Sequence, residues 1–314
     1  MSSPIRLGSR GSALAVKQIG IVEGLFAGVE TERVIIRTSG DQGKRELLGA
    51  FVKEVQDALL TDKIDVGIHS LKDMPTGDVP GLTIAAVPVR EDPRDVILST
   101  VAAFRDLPSG ARVGTGSARR QAQLAALRPD LQYLPLVGNV DTRIRKLHDG
   151  QYDAIVLALA GIRRLGYVDA RDLLLPEALA EGIQAPPRDF ILDVVDILPA
   201  PGQGALALEC RSDDARTLHL LAHKDDPFSH RAVVAERTVL SELGGGCSTP
   251  VAAYGRYIDG TLHLSALVSS PDGSRVVRAE GESDDPISLG KQLAENLRRQ
   301  GAEEILGGLH GQIA

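Results

Sequence analysis

The sequence predicts an α/β protein with mainly parallel sheets, followed by a small α+β domain, and three observations carry that expectation. Strand-like and helix-like segments alternate through the first two thirds of the chain. Asp153–Ala158 is apolar without alternation, as in a strand covered on both faces. After about residue 216 the pattern changes to a helix, a three-strand meander and a closing helix. At 314 residues the chain is long enough for two or three domains, each with its own core.

Ile5–Leu7 reads as a strand leading to Ser12, a residue suited to capping a helix, after which Ala15, Ile19, Val22 and Phe26 recur at helical spacing. Leu47, Phe51, Val55 and Leu59 form a second helical stripe. The strand-like Ile64–His69 follows and ends in a loop at Met74-Pro75. Carboxyl ends of strands are where open α/β sheets bind ligands. Strands are next expected at Asp95–Ser99, at Val113 and at Leu131–Val137, with a helix over Ser117–Leu127 and another over Asn139–His148 that ends at Gly150. About Gly182 to Asp196, with Ala185-Pro-Pro-Arg-Asp189 at its centre, reads as an irregular insertion. Ser229–Glu242 is helical, and strands Val251–Ile258, Thr261–Val268 and Arg275–Glu280 are joined by Asp-Gly turns. A single helix over Ile287–Ile305 closes the chain.

Composition narrows the function. The net charge is −7, aromatic residues are 3% and Trp is absent, so neither a basic footprint nor stacking platforms for bases are present, and nucleic acid is not an expected partner. The longest apolar runs fall far short of the roughly 20 residues that span a bilayer. With no secretory pattern at Met1-Ser-Ser-Pro-Ile-Arg-Leu, the cytoplasm is expected and a membrane is not. Two cysteines, Cys210 and Cys247, exclude a disulfide framework and paired Cys-x-x-Cys zinc sites; no metal is expected. The arginines cluster at Arg119-Arg120, Arg143/Arg145 and Arg163-Arg164, which points to local anion binding within an acidic protein.

Four segments could carry chemistry. Gly114-Thr-Gly-Ser-Ala-Arg-Arg-Gln121 follows a strand and opens a helix, so backbone N–H groups and the helix dipole would face an anion above Ser117. The same residues would also make a glycine turn with solvated arginines; Arg119 stands where a dinucleotide fingerprint needs its third Gly. Gly40-Asp-Gln-Gly-Lys44 is too tightly spaced for a phosphate loop and reads as a surface loop. His69-Ser-Leu-Lys-Asp73 sets Lys72 beside Asp73 at a strand end, where a carboxylate could steady a developing cation or simply cap a turn. Gly244-Gly-Gly-Cys247 leaves a thiol approachable by something large, whereas Cys210, after the apolar run Ala205–Leu208, fits a small buried hydrophobe; the reactive role therefore goes to Cys247.

In order along the chain, Leu7-Gly-Ser-Arg-Gly-Ser-Ala-Leu-Ala15, His69-Ser-Leu-Lys-Asp-Met-Pro75, Arg90-Glu-Asp-Pro-Arg-Asp95, Gly114–Gln121, Gly138-Asn-Val-Asp-Thr-Arg143, Ala160-Gly-Ile-Arg-Arg-Leu165, Pro201-Gly-Gln-Gly204 and Gly245-Gly-Cys247 resemble the porphobilinogen deaminases. The resemblance implies two doubly wound domains like those of periplasmic binding proteins around a cleft, plus the small C-terminal α+β domain. It sets the divisions at 1–90 with 198–216, 91–197 and 217–314. It implies a cytoplasmic monomer that condenses four porphobilinogen molecules head to tail into hydroxymethylbilane and releases ammonia. It implies a dipyrromethane cofactor in thioether linkage to Cys247, with Asp73 as the catalytic carboxylate. It assigns substrate and cofactor carboxylates to Arg10, Ser12, Lys72, Thr115, Ser117, Arg119, Arg120, Arg143 and Arg164, with Gln18 lining the cleft. Arginine forks suit such ligands because each pyrrole carries an acetate and a propionate.

Departures from the family pattern are Val137 where an Arg is usual, for which Arg145 or Lys146 could compensate, Gly244 in place of an acidic residue, and Gly116 in place of a Ser. The competing expectation is a two-lobed binder of small anions without catalysis, since fold alone does not fix function.

Overall fold

The structure, a computed structural model, describes residues 3–37, 52–168, 190–246 and 249–310. Its contacts divide the chain into two units, one formed by Met1–Glu91 with Gly204–Arg231, the other by Asp92–Gln203 with Ala232–Ala314.

In the first unit, β1 (Ile5–Arg10) runs into Ser12, whose side chain accepts the Ala15 N–H and caps α1 (Ala13–Leu25) as expected. β2 (Thr31–Ile36), α2 (Lys53–Leu60), β3 (Val66–Ser70) and β4 (Leu82–Ala86) follow. The chain leaves for the second unit and comes back as β9 (Leu206–Arg211), which lies between β3 and β4 in the sheet order β2-β1-β3-β9-β4. β1 is parallel to β2 and β3, while β9 runs antiparallel to both its neighbours. Alternation along β3 and β9 sorts side chains to two faces. Val66, Ile68, Leu206 and Leu208 pack with Ile19, Val22 and Phe26 of the α1 side, while Val55, Ala58 and Leu59 of α2 form a separate core with Ile64 and Leu82. The sheet is therefore covered on both faces, as its apolar strands require.

In the second unit, β5 (Asp95–Ser99), β6 (Arg112–Thr115), α3 (Ala118–Leu127), β7 (Gln132–Pro135), α4 (Val140–His148), β8 (Ala154–Ala158) and α5 (Leu159–Leu165) build a four-stranded sheet of order β5-β8-β6-β7. β8, β6 and β7 are parallel, and β5 is antiparallel to β8. Two clusters, one around Ile144, Leu147 and Ile155, the other around Val113, Leu124 and Val156, cover its two faces. After α6 (Ala215–Ala222) in the first unit, α7 (Pro227–Glu242) carries the chain back into the second. There β10 (Val251–Ile258), β11 (Thr261–Ser269) and β12 (Val276–Glu282) form an antiparallel meander. The Asp259-Gly260 turn has positive φ at both positions, 50° and 85°, the conformation of a tight two-residue hairpin.

The closing helix is a correction. It is broken into α8 (Pro286–Arg299) and α9 (Ala302–His310) at Gly301, whose φ of +94° ends the first segment. Of the expected stripe Leu47, Phe51, Val55 and Leu59, the first two lie outside the described residues; so do the 40–44 loop and residues 182–189 of the insertion.

Candidate functional site

β1 and β3 are parallel neighbours in register Leu7↔Val66 and Gly8↔Gly67, so Arg10 and Ser70 end at the same edge of the first sheet. Arg10, Ser12, Lys72 and Asp73 follow from these two strand ends, where open α/β sheets place ligands. The turn holding Lys72 and Asp73 is a single 3-10 turn, Leu71–Asp73. It is fixed from beneath: Leu71 is buried and donates its N–H to Ala205 O at 3.1 Å, and Met74 N–H closes the turn on Leu71 O at 3.1 Å. Gln18 is also buried, and its amide donates to Ser70 Oγ at 2.9 Å. The structure thus sets Gln18 against the residue preceding the turn. Asp73 is exposed at the end of this anchored segment.

The second unit gathers its candidates at the ends of β6, β7 and β8. Thr115 is buried, its Oγ1 accepting the Ser117 N–H at 3.2 Å, and Ser117 caps α3. At Gly116 a Cβ would stand 2.6 Å from the Leu136 carbonyl oxygen, so the glycine allows β6 and the chain after β7 to meet closely at this point. Arg143 on α4 donates through Nε to Gly138 O at 2.7 Å, and Arg164 is half-buried on α5. Val137 is 43% exposed. Of the two residues that could compensate for it, Lys146 places Nζ 3.1 Å from the Val137 carbonyl, while Arg145 lies exposed beside Asp141 at 4.0 Å.

Arg119 and Arg120 are 3% and 5% exposed and share one carboxylate. Arg119 Nη2 bonds Asp95 Oδ2 and Arg120 Nη2 bonds Asp95 Oδ1, each at 2.7 Å. Their remaining bonds run to the Leu198 and Val156 carbonyls and to Gln203, whose amide also donates to Asp95 Oδ1 at 2.7 Å and to the Pro93 carbonyl at 2.6 Å. Burial by itself would push the Asp95 carboxyl up, yet the two guanidiniums hold it far below the ordinary carboxylate range. Desolvation lowers Arg119 despite the Asp95 charge. Two cations against one anion leave a surplus positive charge in this cluster, and the Nε–H of both arginines is buried with no hydrogen-bond partner among the described residues. Such a cluster suits an anionic group.

Cys247 and Ser248 lie outside the described residues, and the chain is described up to Gly246 and again from Thr249. Gly244 ends α7 with φ +62°, and Gly245 returns its N–H to Leu240 O at 2.9 Å. Thr249 Oγ1 accepts from Gly246 N–H and donates to Gly246 O, at 3.1 and 2.6 Å. A Cβ on Gly245 would meet Leu240 Cδ1 at 2.6 Å and Thr249 Oγ1 at 2.8 Å, so a side chain there would have to displace both. Cys210 is fully buried, and burial pushes its thiol up to about 11, the inert setting expected of it.

Sequence reasoning did not single out Asp95, Gln203, or the buried pair formed by His69 and Glu209. In each case the signal was a polar residue inside an apolar strand or beside one, as in Asp95-Val-Ile-Leu98 and Leu206-Ala-Leu-Glu209. Among the described residues no cluster of His, Cys, Asp and Glu could hold a metal ion, and no helix is long and apolar enough to cross a membrane.

Two family models match the chain: "Porphobilinogen deaminase, dipyromethane cofactor binding domain" over residues 5–219, and "Porphobilinogen deaminase, C-terminal domain" over residues 230–299. Curated relatives named porphobilinogen deaminase include one from Thermus thermophilus, 48% identical and covering 96% of this chain and 97% of its own. Others are from Desulforudis audaxviator, 44% identical with 98% of each chain covered, and Syntrophobacter fumaroxidans, 42% identical with 96% of each covered. Among solved structures, a putative periplasmic sulfonate-binding protein from Methylobacillus flagellatus overlays 77% of this chain and 68% of its own at 14% identity and a TM-score of 0.38.

Proposed function

The chain belongs to the porphobilinogen deaminase family, and from that membership we propose which of its residues perform the reaction. The activity is the polymerisation of porphobilinogen into hydroxymethylbilane in tetrapyrrole biosynthesis, with a dipyrromethane cofactor bound by the domain that residues 5–219 match. In our reading Cys247 holds that cofactor through a thioether and Asp73 is the catalytic carboxylate. Arg10, Ser12, Lys72, Thr115, Ser117, Arg119, Arg120, Arg143 and Arg164 bind acetate and propionate groups, and Gln18 steadies Ser70.

The observation that carries the reading is Asp73 itself: an exposed carboxylate on a turn pinned at the carboxyl end of a parallel strand. When the aminomethyl group of porphobilinogen leaves as ammonia, the substrate becomes electron-poor, and a fixed negative charge lowers the barrier to that loss. The same carboxylate can take the proton released as the coupled ring regains aromaticity. Lys72, beside it, offers a point charge for a substrate acid group.

The residues present fit a polycarboxylate cofactor. The Arg119–Arg120–Asp95 cluster holds one positive charge more than it neutralises, and its two buried Nε–H groups have no acceptor among the described residues. The N-terminus of α3, capped by Ser117, adds a favourable dipole. When bound, the dipyrromethane supplies the pyrrole end to which new units are added. The protein's part is to hold acid groups, keep one end fixed and present the other.

We also propose three domains, supported by the three separate sheets, with the expected divisions 1–90 with 198–216, 91–197 and 217–314 shifted so that α6, which packs with the first unit, stays whole there. A cytoplasmic location suits a chain whose chemistry needs Cys247 free of disulfides. A net charge of −7 supports a monomer. Porphobilinogen consumption tests the catalytic assignment. Asp73→Ala should lose about a hundredfold to a thousandfold in kcat; turnover comparable to wild type would refute it.

A further inference from the structure

His69 and Glu209 form a buried ionisable pair for which the proposed chemistry has no use. Their side chains are 3% and 4% exposed, and His69 Nε2 lies 2.9 Å from Glu209 Oε2. The other carboxylate oxygen, Oε1, accepts from the Gln56 amide of α2 at 2.9 Å. In the antiparallel pairing of β3 with β9, His69 faces Ala207 and Glu209 faces Gly67, so His69 and Glu209 are diagonal neighbours on the α2 face of the sheet.

The imidazole lies back over Gly67. A Cβ at that position would meet His69 Nε2 at 3.0 Å, Val55 Cγ1 at 3.0 Å and Leu59 Cδ1 at 3.1 Å, so a side chain at residue 67 would crowd the ring and α2 together. A buried carboxylate is costly without charge-balancing or hydrogen-bonding partners, and this one has two, drawn from a helix and from a neighbouring strand. Apolar residues would close the same space at less cost in desolvation, which leaves the placement of β3 to be explained.

What β3 delivers is the turn. His69 is gripped on the α2 face and Ser70 on the α1 face by Gln18; Leu71 is then tied to Ala205, the residue before β9, and Lys72 and Asp73 follow at once. Three successive residues are thus held by three different partners, which fixes the position and twist of the strand end from which the carboxylate projects. We propose that His69 and Glu209 are positioning residues for the condensation, setting the Lys72–Asp73 turn through the end of β3; this rests on the assignment of Asp73 as the catalytic carboxylate.

The test compares His69→Leu, Glu209→Leu, the double variant and Asp73→Asn, each scored for kcat, KM, thermal midpoint and intact mass. His69→Leu strands Glu209, and Glu209→Leu strands His69 together with the Gln56 amide, so either should lower the thermal midpoint. Removing both partners together should restore most of that midpoint, since matched apolar replacements of a buried pair are close to neutral. The double variant should nevertheless keep kcat at least about tenfold below wild type, with KM within about twofold and the cofactor still attached, because a displaced carboxylate loses alignment without losing grip. His69→Gln, whose amide can still donate to Glu209, should recover kcat in part.

A double variant that regains both its thermal midpoint and wild-type kcat would overturn the proposal, leaving the pair a purely structural feature. Asp73→Asn separates the two claims. If it is inactive while the double variant is fully active, only the positioning role falls; if Asp73→Asn turns over normally, the assignment of Asp73 falls and takes the positioning role with it.

Discussion

The Lys72–Asp73 turn of the first unit and the Arg119–Arg120 cluster of the second place charge in opposite ways. The turn is held by hydrogen bonds from Leu71, Met74 and, through Ser70, Gln18, and it leaves its carboxylate exposed. The cluster is buried, and its stability depends on charge itself: one carboxylate, Asp95, against two guanidiniums. The difference teaches that a group which must meet a changing substrate can be placed by backbone bonds and by buried contacts of its neighbours, so that its own charge is left to act. A group that must attract anions can instead store unneutralised charge in the interior, at the cost of depending on its counter-ion.

Replacing the buried counter-ion should give the largest effect on stability. Asp95→Asn leaves two guanidiniums uncompensated and should destabilise the second unit by about 3–5 kcal/mol in chemical unfolding. Asp73→Asn, by contrast, should leave the midpoint unchanged while abolishing turnover; equal losses of stability in the two variants would break the comparison.

Acid sharpens it further. Asp95 has its folded-state carboxyl depressed, so its stabilising contribution is present above the unfolded value of about 3.9 and is lost only as pH falls below that towards the folded value. The stability of wild type should therefore drop on acidification below about pH 4, and Asp95→Asn should show a shallower drop there because the titrating group is gone. An identical acid dependence in the two proteins would contradict the account.

Smaller effects test the supports. Gly116→Ala drives a Cβ against the Leu136 carbonyl and should cost about 1–3 kcal/mol through backbone shift. Gln18→Ala removes one buried hydrogen bond beneath the turn and should cost about 1 kcal/mol. Its effect on kcat should exceed its effect on KM if Gln18 acts through Ser70; a change confined to KM would return Gln18 to direct contact with substrate.

Much of this arrangement was legible in the residues. Periodicity located α1, α3, α4 and the meander, Ser12 announced its cap, and the isolated apolar setting of Cys210 marked it as inert. The broken closing helix was not read correctly, because the apolar spacing continues across Gly301 and only its left-handed backbone shows the break. The antiparallel insertion of β9 between β3 and β4 could not be read from local pattern, since it is a pairing between segments about 140 residues apart, as His69 and Glu209 show. Asp95 and its arginines were each visible alone. Their joining is a tertiary event, and the consecutive arginines looked equally like solvated charges until their counter-ion was found 24 and 25 positions earlier.

The claim on which the rest depends is that Cys247 carries the dipyrromethane. Intact mass of the denatured wild-type protein, made in a host that produces porphobilinogen, should exceed the sequence mass by the attached cofactor, and Cys247→Ser should weigh what its sequence gives. A wild-type protein of unmodified mass that stays unmodified after incubation with porphobilinogen, or a Cys247→Ser variant still carrying the addition, would contradict it.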